Sequence, residues 1–359
     1  MTEWTHGHAS AASLLGLVQR GRGLGALMAA EDLAAAAGVV YECIRRDWRW
    51  DTQTDDRYLY LARLIRDLEL PLGPVVELLA AGDEDTRYRA GSVLELLVLG
   101  GSEEARAALP GFVPEEEDAR SRRWQRPPDP CPDRDTARLL DLLRDPAASE
   151  GAKGTALRAL SRRPPEPRLI PLVPGLGAAD GTRPLPYLAR ALEPLAERAV
   201  PAAREWAASE QEWLAWLGTG VLADHGDESD LPALLAELES LWEDGHWCGP
   251  DHLGRGLARF GARAGGAVPV LRRFWLWTPH SYERTDYLEA LAAMGAEGAD
   301  EAFVESLWDC EERARLLGVR HAPEEAEVEA RLRYLRDDPM EEREVREAAG
   351  RRLCGGSAG

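Results

Sequence analysis

Apolar residues along this 359-residue chain recur three and four positions apart almost throughout. Leu61, Leu64, Ile65 and Leu68 form the clearest run, and their i, i+3, i+4, i+7 spacing predicts one apolar stripe on a helix starting near Asp56. No sustained alternation of β-branched residues is found, and Asp180-Gly181, which could turn a hairpin, lies among prolines. The pattern predicts an all-α chain. The phrases ending at Gly100 (SVLELLVLG) and Gly295 (EALAAMG) place glycine where a left-handed helix terminus is wanted.

The predicted helices come in pairs joined by a recurring phrase: an apolar helix end, an acidic turn, then an arginine- or alanine-rich helix start. Its fullest form is L-x-x-L-x-x-D-P-x(5)-V-R-x-x-A-x(3)-L, carried by Leu332, Leu335, Asp338, Pro339, Val345, Arg346, Ala349 and Leu353. Weaker copies run through Leu78, Leu79, Asp83, Arg87, Ala90 and Leu94; through Leu142, Leu143, Asp145, Pro146, Ala156 and Leu160; and through Leu307, Asp309, Arg313, Ala314 and Leu317. Leucines here pack between helices, the alanine lets two helices approach closely, and Asp and Pro shape the turn. The arginine is expected to reach the acid of a neighbouring turn. Successive units are roughly 27 to 36 residues long, the range of stacked helix pairs.

On these residues the chain resembles the HEAT-repeat family in its short bacterial form. The resemblance implies an α-α superhelix, an α-solenoid of antiparallel helix pairs with a concave partner-binding surface, and it fixes no activity. The stretch from Asp47 to Arg63 (DWRWDTQTDDRYLYLAR) is also similar to a phrase of actinobacterial HEAT-repeat proteins. The expected organisation is a partly helical segment over 1–30, the solenoid over 31–353, and a disordered tail over 354–359. An exposed, charged, proline-rich loop is expected at 114–135, and a second break at 242–252, where Gly and Pro interrupt the helical pattern.

Composition then narrows the function. Asp plus Glu number 63 against 43 Lys plus Arg, a net charge of -20, which repels polyanions and makes nucleic acid and anionic membranes poor partners. No apolar run is long enough to span a membrane, and the N-terminus lacks the basic and apolar regions of a secretory signal, so a cytoplasmic location is expected. The five cysteines, Cys43, Cys131, Cys248, Cys310 and Cys354, are odd in number and widely spaced, a poor pattern for disulfides or zinc knuckles.

Candidate chemistry is sparse. His246, Cys248 and His252, with Asp251 beside them, could supply zinc ligands, but the spacing is not that of a finger, no fourth ligand is evident, and an irregular inter-repeat loop explains them as well. Asp51, Gln53, Asp55 and Asp56 mimic the start of a calcium loop, which then fails: the sixth position is Asp56 rather than glycine, and Ala62 replaces the bidentate glutamate. Nucleophile-elbow, P-loop and dinucleotide-binding motifs are absent from the sequence. Asp224 with His225, and Glu283 with Tyr282, are the acid pairs an enzyme would draw on. Trp275 and Trp277 beside Arg272 and Arg273 invite comparison with HEAT-like DNA glycosylases, against which the net charge argues.

Tryptophan is the remaining signal, with 12 residues. Trp213 and Trp216, three apart on one helix, read first as inter-repeat core. Trp48, Trp50, Arg57, Trp242, Trp247, Trp275 and Trp277 are the candidate partner-binding residues, because tryptophan and arginine dominate interface hot spots. The sequence therefore predicts a non-enzymatic, cofactor-free scaffold that holds a protein partner, a basic one on charge grounds. The alternatives are an enzyme or enzyme subunit on the same scaffold, lyase-like or glycosylase-like, and a toxin-neutralising immunity protein.

Overall fold

A computed structural model describes residues 7–46, 57–110 and 129–355. It is all-α: the described residues form 20 α-helices and no strand, with one isolated bridge between Gly177 and Pro184. Among them no helix is long and apolar enough to cross a membrane. Two compact units divide the chain, Met1–Arg120 together with Val268–Gly359, and Ser121–Ala267.

The first unit begins with α1 (Leu14–Gln19), α2 (Gly23–Glu31), α3 (Leu33–Arg45), α4 (Tyr58–Asp67), α5 (Gly73–Ala81), α6 (Glu84–Leu99) and α7 (Glu103–Ala108). Side-chain caps explain several starts: Ser13, Asp32, Asp83 and Ser102 accept the backbone N–H of Gly16, Ala35, Thr86 and Ala105. The predicted stripe lies on α4, whose Leu61, Leu64 and Ile65 are buried with Val40, Ile44, Val93 and Leu94 of α3 and α6. Gly100 stays right-handed at the end of α6, and the left-handed position falls one residue later, on Gly101 (φ 89°). Gly295 takes φ 67° as its phrase predicts.

The second unit holds α8 (Thr136–Arg144), α9 (Glu150–Leu160), α10 (Leu188–Leu192), α11 (Val200–Ala207), α12 (Glu212–His225), α13 (Leu231–Glu243) and α14 (Pro250–Ala258). Proline is the obstacle to regular helix here: Pro167–Gly175 and Glu193–Ala199 are wound as tighter 3-10 turns, with Pro171 and Pro174 inside the first. Of the loop expected at 114–135, only residues 129–135 are described; there Asp129 binds Arg163 and Asp135 caps α8.

The chain then returns to the first unit with α15 (Val268–Trp277), α16 (Arg284–Ala293), α17 (Ala299–Ser306), α18 (Glu312–His321), α19 (Ala326–Asp337) and α20 (Arg343–Gly355). The fullest repeat phrase becomes the α19–α20 pair, with Asp338-Pro339 in the turn and Leu332, Leu335, Val345 and Ala349 buried together. Arginine reaches a neighbouring turn's acid at nearly constant separation, but from positions outside the phrase: Arg284 to Asp309 is 25 residues, Arg315 to Glu341 26, and Arg204 to Asp230 26, whereas of the phrase's arginines Arg313 donates to Asp286 on the first turn of α16.

The sequence pattern does not announce how the first unit joins its two halves. Arg63 of α4 donates to Asp338 (2.8 Å) and Glu341 (2.9 Å), and Arg66 donates to Asp338 (2.7 Å). Arg22 forms a bidentate pair with Glu305 (2.9 and 2.7 Å), and Arg284 donates to the carbonyl of Arg20 (2.8 Å). Helices near the start of the chain thus pack on helices near its end. In a strictly linear repeat array, each repeat contacts only its neighbours.

Candidate functional site

Most of the residues that sequence singles out for partner binding are committed internally. Trp48 and Trp50, with the calcium-like Asp51, Gln53, Asp55 and Asp56, lie outside the described residues. Arg57 is buried and donates to the carbonyl of Pro279 (3.1 Å). Trp275 is half-buried beneath the guanidinium of Arg22, 4.4 Å from its ring centre, while the Trp277 carbonyl accepts from Arg20 (3.2 Å). Trp242 and the buried Trp247 meet edge to face at 5.7 Å. Of the acid pairs, Glu283 is buried and accepts from Thr278 (3.0 Å) and Tyr287 (2.9 Å).

The metal candidates separate. His246 and Cys248 are exposed on the turn between α13 and α14, whereas His252, on the first turn of α14, faces Asp224 of α12. Among the described residues no group of three or more His, Cys, Asp or Glu is placed to hold a metal ion.

Two adjoining depressions in the second unit carry what remains. The first, of about 470 Å³, is lined by Trp213, Trp216, Gly220 and Asp224 of α12, by His252, and by Arg190 and Glu193 at the end of α10. Helical spacing brings the α12 set to one face. Trp213 and Trp216, three residues apart, sit about 60° apart around the helix. One therefore enters the core, and the other stands at its edge, 37% exposed. Gly249 closes the rim: it has φ 107°, and a Cβ there would lie 2.4 Å from the Trp216 ring, so only glycine fits.

Beside that ring, His252 Nε2 lies 2.8 Å from Asp224 Oδ1. Burial pushes the Asp224 carboxyl up, but the hydrogen bond and charge interaction with His252, followed by His225 and Arg255, outweigh it and hold the group below the usual carboxylate range. The lining holds no serine, threonine, cysteine or lysine; its ionisable groups are Arg190, Glu193, Asp224, His225 and His252.

The second depression, of about 690 Å³, shares Arg190 and Glu193 with the first and adds Arg158, Ser161, Arg162, Tyr187 and Pro194. Tyr187 takes left-handed backbone (φ 69°) at the start of α10, is 40% exposed, and lies under the Arg158 guanidinium, 5.7 Å from ring centre to carbon. In the wall of the first depression, Ala196 holds φ 47°, ψ -130°, a conformation that alanine adopts only under constraint.

Sequence reasoning missed Tyr187, Arg158 and Arg190, and it placed Trp216 in the core. One signal was present: residues 152–198 carry more basic than acidic side chains in an otherwise acidic chain. In the first unit the pocket between Tyr60, Arg63, Asp67, Trp308 and Arg331 is smaller, about 170 Å³. Its arginines are engaged, Arg63 with two carboxylates and Arg331 with the Leu307 carbonyl and the ring of Tyr334. Compared with known proteins, the chain matches no family model, and no curated protein matches it at a significant level.

Proposed function

We propose that this chain is a non-enzymatic binding protein of HEAT-like build that holds an extended segment of a partner protein across the two adjoining depressions of its second unit. One observation carries the reading. Among the described residues the most exposed tyrosine and tryptophan side chains are Tyr88, Tyr187 and Trp216, and two of the three line these depressions. Aromatics and arginines dominate binding hot spots because they combine large apolar area with few rotamers and strong directional hydrogen bonds. A groove offering Trp216, Tyr187, Arg158 and Arg190 supplies those types. The test is affinity capture from the host by wild-type protein and by Trp216→Glu, with cross-linking to locate the contact. A protein recovered stoichiometrically, cross-linked near α10 or α12 and lost with the variant is the expected result; retention by Trp216→Glu would refute the reading.

A second reading, an enzyme using general-base chemistry, has one observation in its favour: the imidazole of His252 is oriented by Asp224 beside the exposed Trp216 ring. It requires a small molecule bound there. Native mass spectrometry that finds a ligand on wild-type protein and none on His252→Ala would favour it over the scaffold reading.

A further inference from the structure

We infer that the segment bound in this groove is acidic, with an Asp or Glu side chain seated among Arg158, Arg162 and Arg190 and an aromatic neighbour against Trp216; this rests on the binding reading above. Three arginines and one carboxylate, Glu193, line the second depression. Nearby arginines with structural tasks are fully occupied. Arg163 donates to Asp129 and to the carbonyls of Arg134 and Cys131, Arg204 donates to Asp227 and Asp230, and Arg259 donates to the carbonyls of Ala223 and Gly226.

Arg158 and Arg190 differ. Arg158 Nε is buried and has no hydrogen-bond partner, and its cation rests on the Tyr187 ring; Arg190 is exposed and has no acidic partner among the described residues. That Nε is closed to solvent and so to a docking oxygen, but the guanidinium as a whole lines the depression with no carboxylate partner among the described residues, and a carboxylate answers a guanidinium with paired hydrogen bonds. The choice of an acidic occupant over a basic one follows from range. At physiological ionic strength charge is screened over about 8 Å, so a docked side chain is governed by the arginines touching it and not by the summed charge of the chain.

An extended peptide matches the shape. The two depressions meet at Arg190 and Glu193, and strand-like backbone advances about 3.3 Å per residue, so neighbouring side chains can occupy both. An aromatic ring seated near Trp216 gains an aromatic contact.

The experiment is a random-peptide display selection on the full chain. Enriched peptides are then synthesised with a fluorescent label and titrated by anisotropy against wild type, Trp216→Ala, Glu193→Gln and the double variant Arg158→Gln/Arg190→Gln. All four substitutions fall on or beside the surface, and circular dichroism confirms that each protein is folded. Enriched peptides should carry Asp or Glu within a few residues of an aromatic. The arginine double variant should weaken them on the order of tenfold or more, and Glu193→Gln should tighten them. Peptides that depend on Trp216 but carry no acid, or that ignore both the arginine and the Glu193 changes, would overturn the inference and leave the groove reading standing. A selection yielding only peptides indifferent to Trp216→Ala would overturn both.

Discussion

Glu341 is the residue whose loss should be felt most in the first unit. Its carboxylate is buried between two arginines: Arg315 donates to both oxygens (2.9 and 2.8 Å) and Arg63 to one (2.9 Å). The backbone N–H of Glu342 adds a further donor at 2.8 Å. Replacing Glu341 by Gln preserves shape and removes the charge. Arg63 keeps Asp338, and Arg315 keeps the carbonyls of Asp309 and Cys310, but a buried guanidinium then faces an amide NH₂ where it had a carboxylate.

Breaking a buried ion pair from one side costs about 3–5 kcal/mol, mostly the desolvation of the charge left behind. At about 2–4 °C per kcal/mol for a unit of this size, the first thermal transition should fall by roughly 10 °C. Because the chain has two compact units, urea unfolding followed by circular dichroism should be fitted for more than one transition. The double variant Arg315→Met/Glu341→Met is the control. It removes donor and acceptor together and should cost less than Glu341→Gln alone, because an apolar pair of similar volume needs no counter-charge. A loss below about 1 kcal/mol for Glu341→Gln, or a double variant worse than the sum of its singles, would refute the claim that this pair is held in a dry interior.

Acid should weaken the same network. Burial raises the Glu341 and Asp338 carboxyls, but Arg315, Arg63 and Arg66 outweigh it and hold both below their ordinary values, so their stabilisation is present above about pH 4–5 and is lost as pH falls through the folded values. Burial leaves Glu312 and Glu237 raised, so protonating them relieves a penalty; denaturation midpoints should stay level or rise slightly from pH 7 to about 5 and then drop. Trp216→Ala should leave the melting temperature within a few degrees of wild type while abolishing partner capture, since the ring is 37% exposed and sits at the edge of the core. Gly249→Ala should cost about 1–3 kcal/mol by thermal melt and quench or shift the Trp216 emission, because the added methyl meets that ring and φ 107° is strained for alanine. A Gly249→Ala protein with unchanged stability and emission would show that the rim of the groove is not packed as described.

The local structure was legible because it rests on local rules. The α4 stripe, the α19–α20 pair and the turn acids all follow from spacings of three, four or a few residues, which the chain displays openly. The reach of arginine to a turn's acid was expected in kind, although the arginines that make it at 25 or 26 residues, Arg284 and Arg315, are not those of the phrase. Pairings across 275 or 283 residues, such as Arg63 with Asp338 or Arg22 with Glu305, have no such signature. In sequence Arg20, Arg22 and Arg63 look like the polar face of exposed helices, yet all three are buried and bond to Trp277, Glu305 and Asp338 from the far end of the chain. Trp216 escaped for a smaller reason. Two tryptophans three positions apart share a helical stripe but not a depth, and sequence spacing does not say which of them reaches the edge.

Charge raised the sharper difficulty. A net of -20 points to a basic partner only if the acids are spread evenly and free to act at the contact surface. Several are not free: Asp338, Glu341, Asp309 and Asp286 are buried or nearly so against arginines, where each pair presents little field to solvent. Those arginines are consumed equally, so pairing leaves the sum unchanged while moving both signs out of reach. What a partner meets is the residue of this cancellation at one place. Around Arg158 and Arg190 that residue is positive, with Glu193 the one acid in the lining. The inference from net charge and the inference from the groove therefore make opposite demands on the partner's side chains, and screening over about 8 Å makes the groove the one that decides affinity, leaving net charge to set the rate of encounter. Raising salt should separate the two. If a bound acidic segment is held by these arginines, its dissociation should quicken with salt, while its association should slow little or even speed up as the long-range repulsion from the acidic chain is screened.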